Sequence, residues 1–151
     1  MGLNLKNLHV LLIEDIAPMR ELTSAILKAQ GVGRVSHASD GEKGFDEFCK
    51  CCPDIVITDW QMPAMNGIDL VKMIRTSQLS PNKTVPIIMM TGYGSPLKIS
   101  NARDAGVTEF LVKPFSACDI SKRILHIIKS PRDFIVPPTY AAPDRRRKEW
   151  V

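Results

Sequence analysis

Four short apolar runs constrain this chain most: HVLLIE (9–14), DIVITD (54–59), VPIIMMT (85–91) and VTEFLVK (107–113). Each is too short for an ordinary helix and is apolar or β-branched nearly throughout, without strict alternation. Strands of that kind are covered on both faces, as in a parallel sheet. A fifth run, RVSHAS (34–39), is more polar and is expected toward a sheet edge.

Helical patterns lie between the runs. Residues 17–30 carry Pro18 in the first turn and stop at Gly31, which suits a left-handed cap. Residues 40–51 place Phe45, Phe48, Cys49 and Cys52 on one stripe. A helix over 66–76 begins at Asn66, with Asp69 favouring its N-terminus. Ser95-Pro96 opens another and Gly106 closes it, over a thin apolar face of Leu97, Ile99, Ala102 and Ala105. Ser116 and Asp119 resemble a capping box, followed by Ile120, Ile124, Ile127 and Ile128 on one face. Five βα units joined by right-handed crossovers make a doubly wound α/β fold around a five-stranded parallel sheet. Ligands of such sheets bind outside the carboxyl ends of the strands.

Composition narrows the classes. An apolar share of 44% in 151 residues suffices for one core, and no apolar run reaches the length of a membrane span. MGLNLKNLHVLLIED lacks the basic start of a signal peptide, so a cytoplasmic protein is expected. The cysteines Cys49, Cys51 and Cys52 fall along a helix without the spacing of a zinc set, so free buried thiols are expected. The net charge of +4 is divided evenly, with +2 in residues 131–151 and +2 in the first 130. Basicity alone therefore makes no case for nucleic acid.

The charged ends of the runs carry the chemistry. Glu14 and Asp15 follow the first, Asp59 ends the third strand, Thr91 the fourth and Lys113 the fifth. Two carboxylates about 5 Å apart repel by roughly 3 kcal/mol at an effective dielectric near 20, so three need cations. Lys113 supplies one, and Mg²⁺ suits the rest because it takes one or two carboxylates and keeps sites for phosphate oxygens. An aspartate beside such a cation and a lysine is a nucleophile toward a phosphoryl group.

In order and at these spacings, Glu14-Asp15, DWQMPAMNG around Asp59, MMTG around Thr91 and FLVKPF around Lys113 form a specific set. From about residue 7 to 130 the chain closely resembles the receiver domains of two-component response regulators, particularly the single-domain chemotaxis type. The resemblance implies a flavodoxin-like fold, with Asp59 as phosphoacceptor. It further implies Mg²⁺ bound by Asp15, Glu14, Asp59 and the backbone carbonyl of Gln61, with Lys113 pairing the phosphoryl group before a cis Lys113-Pro114 bond. Thr91 and Phe110 resemble the family's switch pair. The implied partners are a sensor histidine kinase or histidine phosphotransfer protein and a downstream target.

Two other readings bear on the same residues. A phosphatase resembling the haloacid dehalogenase group needs an acid two residues after the nucleophile, where this chain has Gln61. A binding module that never turns over phosphate would leave the acidic set without a purpose. Tyr93, two residues after Thr91, is expected to slow loss of the phosphoryl group, and Trp60 to report on metal binding by its fluorescence.

Residues 1–130 are expected to form the receiver and 131–151 a Pro-rich basic tail, extended or docked on a partner. At full extension the tail reaches about 70 Å. Phe134, Ile135, Val136, Tyr140 and Trp150 are interleaved with prolines before and around the basic stretch Arg145–Lys148. Protein contact, including a homodimer through the tail or the last helices, is favoured there over nucleic acid.

Overall fold

The computed structural model describes residues 5–92, 96–129, 134–135 and 142–143. The elements run β1 (His9–Ile13), α1 (Ala17–Ala29), β2 (Arg34–Ala38), α2 (Gly41–Cys51), β3 (Ile55–Asp59), α3 (Gly67–Thr76), β4 (Ile87–Thr91), α4 (Pro96–Ala105), β5 (Glu109–Val112) and α5 (Ala117–Lys129). The five strands are parallel in the order β2-β1-β3-β4-β5, so the polar β2 is an edge strand, as its composition implies. Side chains alternate across the pleat. Leu11 and Ile13 of β1 join Phe45, Phe48, Leu70, Ile74 and Ala102 on the side of α2, α3 and α4. Val10 and Leu12 join Leu27, Ile120, Ile124 and Ile127 on the side of α1 and α5. Burying each large aliphatic side chain stabilises the fold by about 1.5–3 kcal/mol, which explains why the centres of these runs are apolar on both faces.

Local chemistry sets the helix ends. Asn66 and Asp69 form a reciprocal capping box, and Ser116 and Asp119 exchange the same pair of bonds at 2.9 and 3.1 Å. Each box satisfies backbone donors that the first turn leaves without partners. Gly31 and Gly106 close α1 and α4 with φ of 96° and 115°, a conformation that a Cβ disfavours.

Four features differ from the sequence reading. Every strand is shorter than the run it was read from, because the ladder needs a neighbour as well as a suitable side chain. At the start of β3, Asp54 instead accepts from the His9 N–H through its carboxylate, at 2.8 Å. Cys52 is not buried: it sits exposed at the left-handed C-cap of α2 with φ 46°, past the stripe. Cys51 is half-buried and Cys118 exposed, so of these thiols only Cys49 packs on the core, and from a partly buried position.

Among the described residues Arg75 is the largest of the fully buried side chains, a position that the sequence reading did not single out. Its Nε and Nη2 donate to the Gly106 carbonyl at 3.1 and 2.7 Å, and its Nη1 to the Lys83 carbonyl at 2.8 Å. Burial lowers its pKa, but these carbonyls suit a cation that keeps its proton at ordinary pH. Arg75 thereby ties α3 to the turn after α4. Finally, residues 134–135 (β6) and 142–143 (β7) pair antiparallel within 131–151, where the sequence carries no strand signal, and β7 lies beside α4.

Candidate functional site

The strand order brings the charged residues together. β1 is central to the crossovers, one leading to β2 on one side and the next to β3 on the other. The crevice at that switch point is where doubly wound sheets bind ligands. Glu14 and Asp15 enter it from the end of β1, Asp59 from the last position of β3, Thr91 from that of β4 and Lys113 from just beyond β5. Asp15, Asp59, Trp60, Gln61, Thr91 and Lys113 line a cavity of about 540 Å³.

Asp59 is 7% exposed and held from two sides. The Trp60 backbone N–H donates to its Oδ1 at 2.8 Å, and the Lys113 ammonium donates to its Oδ2 at 3.0 Å. Lys113 also donates to Glu14 Oε1 at 3.2 Å. One oxygen of each of Glu14, Asp15 and Asp59 lies within 4.8 Å of the others. Burial, then the hydrogen bond and negative field of Asp59, push the Glu14 pKa up to about 7. Burial opposes the charge on Lys113, but its hydrogen bond to Asp59 and the fields of both carboxylates hold its pKa above the usual lysine value. Buried Asp15 Oδ1 has no hydrogen-bond partner. An orphaned carboxylate oxygen beside two further acids suits a hard divalent cation with oxygen ligands.

The loop after β3 is shaped for this arrangement. A Cβ on Gly67 would stand 2.3 Å from the Asp59 carbonyl oxygen, so α3 starts this close to the site only with glycine there. The Gly67 N–H donates to the Trp60 carbonyl at 2.7 Å, which closes the loop, and Ala64 takes a left-handed φ of 65° within it. On the other side, Arg20 Nη1 donates to the Glu14 carbonyl at 2.7 Å and pins the main chain between the two acids.

Of the residues singled out from the sequence, Glu14, Asp15, Asp59, Gln61, Thr91 and Lys113 converge. Gln61 is exposed at the rim and Thr91 is 2% exposed on the wall. Phe110 is not in the cavity lining: it packs half-buried on the side of α2, α3 and α4, opposite Met89 in the β4–β5 register. The Lys113-Pro114 bond is cis. Tyr93, Tyr140, Trp150 and the Arg145–Lys148 stretch lie outside the described residues. The sequence reading missed the Trp60 N–H and the Arg20 contact, since main-chain donors leave no mark on composition. Arg75 did leave a trace, falling four residues after Val71 on the buried side of α3.

The response regulator receiver domain family matches residues 10–125. This chain belongs to that family. The receiver is 34% identical to chemotaxis protein CheY-3 of Vibrio cholerae over 119 residues, 79% of this chain and 90% of that protein. It is 33% identical to CheY1 of Helicobacter pylori over 127 residues, 83% of this chain and all of the other. Among solved structures, chemotaxis response regulator CheY4 of Vibrio cholerae superposes with a TM-score of 0.73 at 32% identity, covering 80% of this chain and 98% of that one. The receiver is therefore of the chemotaxis-regulator-like, two-component type, with the flavodoxin-like five-stranded fold. No helix among its described residues is long and apolar enough to cross a membrane.

Proposed function

We propose that this receiver is a phosphorylation-dependent switch in which Asp59 accepts the phosphoryl group. The observation that carries the reading is the Asp59 carboxylate, set on the cavity floor between the Trp60 N–H and the Lys113 ammonium, beside two further acids. An Asp59 oxygen attacks phosphorus while the bond to the donor's nitrogen breaks, and the product is an acyl phosphate. Lys113, already 3.0 Å from the carboxylate, meets the negative charge on the transferring group. Glu14, Asp15 and Asp59, with the Gln61 carbonyl, would hold Mg²⁺, which when bound supplies positive charge to the phosphoryl oxygens. The donor is a phosphohistidine of a sensor kinase or phosphotransfer protein.

The output runs through Thr91 and Phe110. They stand on neighbouring strands, two positions apart in register and on the same side of the sheet. The Thr91 hydroxyl is drawn to a phosphoryl oxygen, Phe110 turns inward behind it, and the changed surface alters affinity for a target. Residues 1–130 are the switch in this reading, and the protein works in the cytoplasm. A phosphatase is disfavoured, because exposed Gln61 stands where an acid/base would be needed.

The test is intact-mass spectrometry after incubation with Mg²⁺ and acetyl phosphate. A phosphoryl adduct in the wild type and none in Asp59→Asn is expected. An adduct that survives in Asp59→Asn would overturn the assignment.

A further inference from the structure

A second, larger depression lies away from the carboxylates. It is a groove of about 880 Å³ between α3 and α4, lined among others by Trp60, Ile68, Asp69, Lys72, Asp104 and Ala105. Among the described residues its charged lining is two carboxylates against one lysine, and its apolar lining comes from Trp60, Ile68 and Ala105. The phosphoacceptor mechanism makes no use of it.

We propose that this groove seats the chain's own segment 144–151, DRRRKEWV, in cis. Three observations name the occupant. The backbone of β7 lies beside α4, the helix that forms one wall of the groove, so the segment that follows Pro143 starts from that helix. Eight residues at full extension span about 27 Å, whereas the ten residues of α4 are about 15 Å long, so the segment can run the length of the groove. The segment carries Arg145, Arg146, Arg147 and Lys148 against Asp144 and Glu149, a net +2 opposite the acidic lining, and Trp150 supplies an apolar anchor for the floor.

Trp60 gives the docking a consequence. It lines both the groove and the Asp59 cavity, and its N–H holds Asp59 Oδ1 at 2.8 Å. A segment seated against Trp60 and a ligand at Asp59 therefore press on one residue from two sides, and each alters the affinity of the other by the same factor. The docking itself does not depend on phosphorylation, so its test stands apart from that of the phosphoacceptor.

The experiment compares amide NMR spectra of the full-length, unphosphorylated protein with those of Trp150→Ala and of a triple variant, R145E, R146E and R147E. Expected are shift changes concentrated in residues 60–76 and 101–105, the same in direction for both variants and independent of protein concentration. Raising salt from 50 to 500 mM should move the wild-type shifts toward those of the triple variant, since screening weakens the pairing. Shifts confined to the neighbours of the substituted residues would overturn the proposal. Groove shifts that grow with concentration alongside a dimer mass in sedimentation would overturn the cis arrangement and make a second copy the occupant.

Discussion

Replacing Glu14 with glutamine (E14Q) is expected to stabilise the metal-free protein while weakening its hold on Mg²⁺. The carboxylate is fully buried, with the oxygens of Asp15 and Asp59 gathered within 4.8 Å. At an effective dielectric near 20, each repulsion at that distance is about 3.5 kcal/mol. Attraction to the Lys113 ammonium at 3.2 Å is about 5 kcal/mol on the same footing. Burial is the largest cost to the charge, and the hydrogen bond and repulsion of Asp59 add to it against the attraction of Lys113. The balance shows as a pKa raised from 4.5 to about 7. Between those values the folded state holds a proton that the unfolded chain has released. The stabilising contribution is thus fully present below about pH 4.5 and is lost as pH rises through about 7. At about 1.4 kcal/mol per pH unit, ionised Glu14 costs the folded protein about 3 kcal/mol above pH 7. Glutamine avoids that cost, but it turns one acceptor into a donor and gives up the bond from the Ile16 N–H at 3.3 Å. Such a bond is worth about 1 kcal/mol, leaving a net gain of about 2 kcal/mol at pH 8 and none near pH 5. Urea unfolding in EDTA at the two pH values measures it, and saturating Mg²⁺ should reverse the order. A variant less stable than wild type at pH 8 in EDTA, or a gain unchanged at pH 5, would refute the reasoning.

Three other outcomes are expected. Lys113→Met removes the ammonium that touches both Asp59 and Glu14; phosphorylation by acetyl phosphate should slow by about 10²–10³-fold, followed by intact mass over time. Arg75→Met leaves the Gly106 and Lys83 carbonyls without their donor; it should lower stability by about 3 kcal/mol, read from the urea midpoint. Mg²⁺ competes with the proton on Glu14, so its affinity should fall roughly tenfold per pH unit below about 7. Titration by Trp60 fluorescence, with Trp60→Phe as the blank, checks this, and an affinity flat from pH 8 to 5.5 would contradict it.

The fold was legible because its signals are local. The runs in β1, β3, β4 and β5 are apolar at consecutive positions, and the capping residues Asn66, Asp69, Ser116 and Asp119 act within a single turn. The candidate site was legible for a different reason: its residues stand at the ends of those runs, and parallel strands carry their ends to one edge. Boundaries were less legible. Cys52 continues the apolar spacing of α2, but the helix stops there in a left-handed cap and turns the thiol outward.

By itself, the sequence determined the elements, their order and the set of groups that could reach the sheet's carboxyl edge. Only the tertiary structure decided who meets whom. Lys113 lies 99 residues from Glu14, and Arg75 lies 31 from Gly106, whose carbonyl it holds. Neither pairing leaves a local pattern, because a hydrogen bond depends on distance in space and the chain carries no record of that until it folds. The groove between α3 and α4 is of the same kind, since neither helix's residues specify the gap that separates them. The partial exposure of Phe110 likewise depends on how β5 meets the helices beside it.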